Sequence, residues 1–168
     1  MELHGKRLYL RKLNPNLDEL ENYLGWLRDV NSNRFIESVR HDYSFADLIA
    51  FINDKNNSPT AMLFGIFERR TSSLIGTIKL EPINRDNKTA WLGILIGDPK
   101  NHGQGYGFEV LDILCEFCSS ILKLNEIYLG VSPNNIPAIK LYKKFGFSPY
   151  DKERNVMYLS IENYSSKL

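Results

Sequence analysis

Two short stretches of this chain carry residue types that can do chemistry. The first, His102-Gly103-Gln104-Gly105-Tyr106-Gly107, lies between an apolar strand-like run and a long amphipathic run. Glycines let a backbone close on a phosphate, and the N-terminus of the following helix aims free N–H groups and a positive dipole end at it. The spacing G-x-G-x-G is neither the P-loop pattern nor the dinucleotide fingerprint. The strands before it arrive as hairpins rather than as an opening βαβ unit. Two readings fit the loop by itself: an anion cradle, or a flexible turn whose glycines cap the next helix. The second stretch runs from Asn134 to Phe147. It starts a helix with Asn135 and Pro137 and stops it at Gly146. Tyr142 stands one turn after the small Ala138, on the same side, which leaves room beside its hydroxyl. A core position on an amphipathic helix is the other reading of Tyr142.

Other candidates carry less. Cys115-x-x-Cys118 lacks the two further ligands that a zinc site needs, and Cys118 falls on a buried helical stripe, so both thiols read as packing. Lys140, Lys143 and Lys144 make a basic helix face that suits either a phosphate or solvent. Arg34, Arg40 and His41 lie between the first two helices with Glu37 and Asp42. Such a set can grip a phosphate in bidentate fashion, or be ordinary surface charge.

The elements that must position these residues are legible from periodicity. Residues 8–13 read as a strand ended by Asn14-Pro15-Asn16. Residues 17–30 read as a helix with Leu17, Leu20, Tyr23, Leu24 and Leu27 on one face. A second helix spans about 44–55, with Ser44 as N-cap and Phe45, Leu48, Ile49 and Ile52 inward. Strands at 61–68, 74–81 and 89–96 are joined by short turns, which implies antiparallel hairpins. The loop at 97–107 leads into a helix over about 106–123. Its inward stripe is Val110, Leu111, Leu114, Cys118, Ile121 and Leu122, with Glu109, Asp112, Glu116 and Lys123 on the other face. A strand (126–131), a helix (136–145) and a last strand (157–161) complete the order. The expected fold class is α/β: a mixed sheet covered by helices on both faces.

Composition narrows the function classes. The 168 residues are 43% hydrophobic, 12% aromatic and 24% charged, which excludes a disordered, fibrous or disulfide-stapled chain. They fit a single domain over 1–168. Lys plus Arg number 21 against 20 for Asp plus Glu, a net charge of +1, so bulk nucleic-acid affinity and a polybasic membrane anchor are not expected. No window approaches the roughly 20 apolar residues of a membrane span. The polar start, Met1 to Arg7, shows no secretory h-region, and the expected compartment is cytoplasmic.

Together the two motifs resemble the GNAT superfamily of acyl-CoA-dependent N-acetyltransferases. Gly105 and Gly107 match its Arg/Gln-x-x-Gly-x-Gly/Ala signature, with His102 standing in place of Arg or Gln. Asn135, Ala138, Tyr142, Gly146 and Phe147 match its second signature. The opening Lys6-Arg7-Leu8-Tyr9-Leu10-Arg11 is similar to the branch of ribosomal-protein, spermidine and nucleotide-amino-sugar acetyltransferases. The resemblance implies a GNAT fold, with a mostly antiparallel sheet of six to seven strands and about four helices. It implies acetyl-CoA as cosubstrate, no metal, and a homodimer. His102, Gly103, Gln104, Gly105, Tyr106 and Gly107 would line the CoA pyrophosphate, and the backbone of Ile94, Leu95 and Ile96 would pair with the pantetheine amides and polarise the thioester carbonyl. Asn135 would bond the pantetheine arm, and Tyr142 would protonate the departing thiolate.

The general base is not evident from the motifs. Leu129-Gly130-Val131 offers no carboxylate, and Trp91 stands where relatives of this branch often have Glu. Of Glu81, Asp86 and Asp98, Glu81 is the candidate, reaching the cleft through a water from the end of a central strand. A solvated charge, with direct attack by an already neutral amine, is the alternative. The expected acceptor is a small-molecule primary amine, first a nucleotide-linked amino sugar, because Arg34, Arg40 and His41 suit a phosphate. A polyamine or a protein N-terminus is the alternative acceptor, and a non-catalytic acyl-CoA-binding module is the rival from another class.

Overall fold

The computed structural model describes residues 1–18, 20–29 and 42–168. The chain opens with strands Glu2–His4 (β1) and Leu8–Lys12 (β2), then helices Glu21–Arg28 (α1) and Phe45–Asn57 (α2). Strands Met62–Glu68 (β3), Leu74–Asn84 (β4) and Thr89–Ile96 (β5) follow. A 3-10 turn at Pro99–Asn101 leads to helix Tyr106–Ser120 (α3). Strand Glu126–Gly130 (β6), helix Ile136–Phe145 (α4) and strands Ser148–Asp151 (β7) and Val156–Ser160 (β8) end the order. Among the described residues the eight strands form one sheet, in the order β1-β2-β3-β4-β5-β6-β8-β7. Neighbours are antiparallel except β5 and β6, which run parallel.

Each face of the sheet carries a core because its strands alternate. On one face Leu8, Leu10, Phe64, Ile78, Leu92, Ile127 and Leu159 pack with α3 and α4. On the other, Leu63, Phe67, Leu74 and Leu95 pack with Leu20, Tyr23, Leu24 and Trp26 of the α1 region and Leu48 and Ile52 of α2. Helix α2 starts where expected. The Asp47 N–H donates to Ser44 Oγ at 3.1 Å and the Ser44 N–H donates back to the Asp47 carboxylate at 2.9 Å, which satisfies two orphan donors at once.

The sequence reading is corrected at several points. The sheet has eight strands rather than six or seven. The extra ones, β1 and β7, are only 3 and 4 residues long, too short to show an alternation. Leu17, placed inward, is 80% exposed because it precedes α1, which begins at Glu21 rather than 17. Phe45 and Ile121 sit at helix ends and are 40% and 66% exposed. Glu109 and Asp112 are the opposite case: placed on the solvent face of α3, they are buried at 2% and 3% exposure. Arg34, Glu37, Arg40 and His41 lie outside the described residues.

Candidate active site

The sheet forks in its middle. β5 pairs with β6 only through Thr89↔Glu126, Ala90↔Ile127 and Trp91↔Tyr128. Its pairing with β4 continues to Gly76↔Ile96, so from Leu92 to Ile96 one edge of β5 has no strand partner among the described residues. β6 turns the other way and stays with β8 through Gly130↔Val156. The bare edge contains Ile94, Leu95 and Ile96, the residues that the family resemblance sets against the pantetheine arm.

The glycine loop starts where that edge stops. Gly103 and Gly105 take φ of +71° and +76°, a left-handed backbone open to glycine at little cost. Gly105 is the N-cap of α3, so the loop ends on the free N–H groups of a 15-residue helix. His102 is engaged with the end of β5. Its Nε2 lies 2.8 Å from the Ile96 carbonyl oxygen, and the Nε2–H tautomer donates to it, tying the loop to the end of β5. Gly107 serves packing: a Cβ there would stand 2.7 Å from Leu141 Cδ2 on α4. Gln104 and Tyr106 are engaged through Arg7. The Arg7 guanidinium donates to the Gln104 carbonyl at 2.8 Å and lies 4.7 Å from the Tyr106 ring centroid. The Tyr106 hydroxyl donates to Glu68 at 3.2 Å.

Helix α4 carries the second motif. Asn135 caps it, its Oδ1 accepting from the Ala138 N–H at 3.3 Å. Tyr142 is buried in the same cluster as Leu92 and Leu129, which belong to the two strands that part. Its ring lies 5.6 Å from that of Phe147. Burial pushes the Tyr142 phenol up to about 12, so it keeps its proton across the working pH range.

Glu81 is placed differently from the expectation of a base. It accepts from Lys55 Nζ at 2.6 Å and lies 2.8 Å from Lys79 Nζ. Desolvation works against its charge, but the two ammonium partners outweigh it and hold the carboxyl below its usual range. A carboxylate stabilised in this way is a weak proton acceptor. Cys115 and Cys118 are buried, and burial pushes the Cys115 thiol up to about 12. Among the described residues no group of three or more His, Cys, Asp or Glu is arranged to hold a metal ion. No described helix is long and apolar enough to cross a membrane.

Sequence reasoning missed the supports of this site. Glu109, in the first turn of α3, accepts from the Arg7 and Leu8 N–H groups at 2.6 and 3.1 Å and from Arg7 Nε at 2.8 Å. Asp112 accepts from the Tyr164 hydroxyl, the Ser166 hydroxyl and the Lys167 N–H at 2.7, 2.6 and 2.7 Å. Lys167 Nζ donates to the Phe145 carbonyl at the end of α4. The chain after β8 thus straps α3 to the helix that carries Tyr142. Acidic residues inside an otherwise apolar helix were the available signal; partners more than 50 residues away were not.

A strand edge without a partner invites an amide-bearing arm, and a left-handed glycine turn at its end invites phosphate. Pantetheine with its diphosphate has both groups, so the site fits the cosubstrate of acyl-CoA-dependent transferases. Residues 7–148 match the acetyltransferase (GNAT) domain family, and the chain belongs to that family of acetyl-CoA-dependent N-acetyltransferases. It is 31% identical over 148 residues to uncharacterized N-acetyltransferase p20 of Bacillus licheniformis, covering 86% of this chain and 81% of that one. It is 29% identical over 126 residues to spermidine N(1)-acetyltransferase of Vibrio cholerae, covering 74% and 72%. The crystal structure of Vibrio cholerae spermidine N-acetyltransferase in complex with CoA and spermine has the same fold. Its TM-score is 0.83 at 23% identity, covering 95% of this chain and 99% of that one.

Proposed function

We propose that residues 1–168 act as one domain that moves the acetyl group of acetyl-CoA directly to a primary amine of a polyamine. The observation that carries the transfer is the fork: a β5 edge without a partner from Leu92 to Ile96, beside a buried phenol that keeps its proton. When bound, acetyl-CoA supplies the activated acyl group. The backbone of Ile94, Leu95 and Ile96 holds the pantetheine amides and polarises the thioester carbonyl. The cradle from His102 to Gly107 takes the diphosphate, and Asn135, already a cap, reaches the arm with its amide nitrogen. The amine lone pair attacks the carbonyl carbon, the C–S bond breaks, and Tyr142 gives its proton to the sulfur. The nitrogen loses a proton to water, because Glu81 is held by Lys55 and Lys79.

The polyamine reading is supported by the likeness to the spermidine enzyme of Vibrio cholerae over 74% of this chain. A nucleotide-linked amino sugar rested on Arg34, Arg40 and His41, which lie outside the described residues. A protein N-terminus has no support from a described groove. A homodimer is carried over from the family likeness alone, and light scattering tests it.

The acceptor test is thiol release from acetyl-CoA over a panel of spermidine, spermine, a nucleotide amino sugar and an N-terminal peptide. Saturable release with the polyamines alone is the expected result. Release with the amino sugar alone overturns the polyamine reading and restores the first expectation.

A further inference from the structure

We infer that the aromatic wall beside the fork is the docking surface for a second, non-reacting ammonium of the acceptor. This rests on the polyamine reading above and names the contact that selects it.

Trp91 and Tyr128 are the last paired residues before β5 and β6 part. Their rings stack with centroids 5.7 Å apart. Tyr128 continues the surface to Tyr158 at 6.1 Å and Tyr150 at 5.0 Å, and Tyr150 meets Tyr158 at 5.8 Å. Ile127 and Leu129 point into the core under α3 and α4, so alternation puts Tyr128 on the opposite face. That is the face on which α1 and α2 pack, yet their cluster contains no residue of β6, β7 or β8. Two of the four rings reach the surface: Trp91 is 38% exposed and Tyr150 62%.

Charge identifies the occupant. Glu126, one pleat from Tyr128 on the same face, accepts the Tyr128 hydroxyl at 2.5 Å, which fixes a carboxylate at the edge of the wall. That hydrogen bond is the first cause raising the Tyr128 phenol to about 12, so the ring stays neutral with its electron-rich face available. Elsewhere several rings carry one of the chain's own cations. Arg7 stands over Tyr106, Arg11 over Phe67, Lys144 over Phe108 and Lys167 over Phe145. Among the described residues no Lys or Arg stands over Trp91, Tyr128, Tyr150 or Tyr158. Ring faces that no described cation covers, with an adjacent carboxylate, suit an alkylammonium through cation–π attraction and charge. They repel a phosphate. The wall begins at the fork vertex, and strand residues rise about 3.3 Å each. A second ammonium a few ångströms along an alkyl chain from the reacting nitrogen therefore reaches Trp91 while the first lies against the bare part of β5.

The test is equilibrium binding of spermidine to the CoA-loaded protein, read by calorimetry, for wild type, Trp91→Ala, Trp91→Phe and Glu126→Gln. Steady-state kinetics on spermidine and on propylamine accompany it. The expected result is a rise of about 5–20-fold in Kd and KM for spermidine in Trp91→Ala and Glu126→Gln. Trp91→Phe should recover most of the affinity, and KM for propylamine, which lacks the second charge, should move less than twofold. If spermidine is acetylated but its Kd and KM are the same in all four proteins, the wall is overturned and the polyamine reading stands. If wild type binds no spermidine, both fall. If Trp91→Ala instead dissociates a dimer without altering spermidine affinity, the wall is an interface between copies and the inference is overturned.

Discussion

Arg7 and Glu109, 102 residues apart in sequence, join the start of β2 to the first turn of α3 through one guanidinium–carboxylate contact of 2.8 Å. The same guanidinium holds the Gln104 carbonyl at 2.8 Å, so a single side chain fixes the glycine turn against the helix that follows it. It also offsets a negative charge that would otherwise stand alone beside the proposed diphosphate cradle. Arg7→Ala and Glu109→Gln should raise KM for acetyl-CoA about tenfold, roughly 1.4 kcal/mol of lost binding, with a smaller change in kcat. Arg7→Lys, which keeps the charge but not the fork of donors, should fall between them. Glu109→Ala additionally leaves two amide donors without an acceptor, at a cost of about 1–3 kcal/mol, seen as a lower Tm. Equal losses in kcat and KM effects that track Tm would reduce the pair to a purely structural role.

Tyr142 is the proposed acid. Tyr142→Phe keeps the ring contact with Phe147 and removes only the hydroxyl. Turnover should fall by about 10²–10⁴-fold with KM for acetyl-CoA little moved. Turnover near that of wild type would take Tyr142 out of the acid role.

The pH profile follows from the direction of the shift. Burial raises the Tyr142 phenol to about 12, so its acid form is fully populated below that value and is lost only as pH rises through it. The amine must be neutral to attack, and alkylamines titrate near about 10. kcat/KM should therefore climb close to tenfold per pH unit from about pH 6 to 9, with no descending limb before pH 10. A bell centred near neutrality would point instead to an enzyme base.

Glu81 tests that last alternative directly. Its two lysine partners hold the carboxyl below its usual range, so Glu81→Gln should change kcat less than tenfold. A loss of 10²-fold or more, with an acid limb removed from the pH profile, would make Glu81 the base after all.

The parts of this molecule that were legible in the sequence are those set by neighbours along the chain. The Ser44 and Asp47 cap, the Asn135 start and Gly146 stop of α4, and the turn glycines Gly103 and Gly105 all act within a few residues, and each reads directly. What escaped depends on distant partners. The parting of β5 from β6 is expected only through the family resemblance; no local pattern announces it, because both strands alternate normally through the fork. Glu109 and Asp112 fit an amphipathic stripe as solvent-facing charges; only Arg7 and the Tyr164–Lys167 segment explain their burial. The aromatic wall escaped because its four rings come from four separate strands. The contact of His102 with the Ile96 carbonyl six residues back escaped for a related reason, since its loop position points only to phosphate.

The most direct test is thiol release from acetyl-CoA by the purified protein, with and without spermidine, with the enzyme itself assayed for acetylation. The expected result is release that requires the amine and saturates with it, yields acetylspermidine in equal amount, and leaves no acetyl group on the enzyme. Binding of acetyl-CoA without amine-dependent release on spermidine, or an acetylated enzyme formed from acetyl-CoA alone, would contradict direct transfer to a polyamine at the β5–β6 fork.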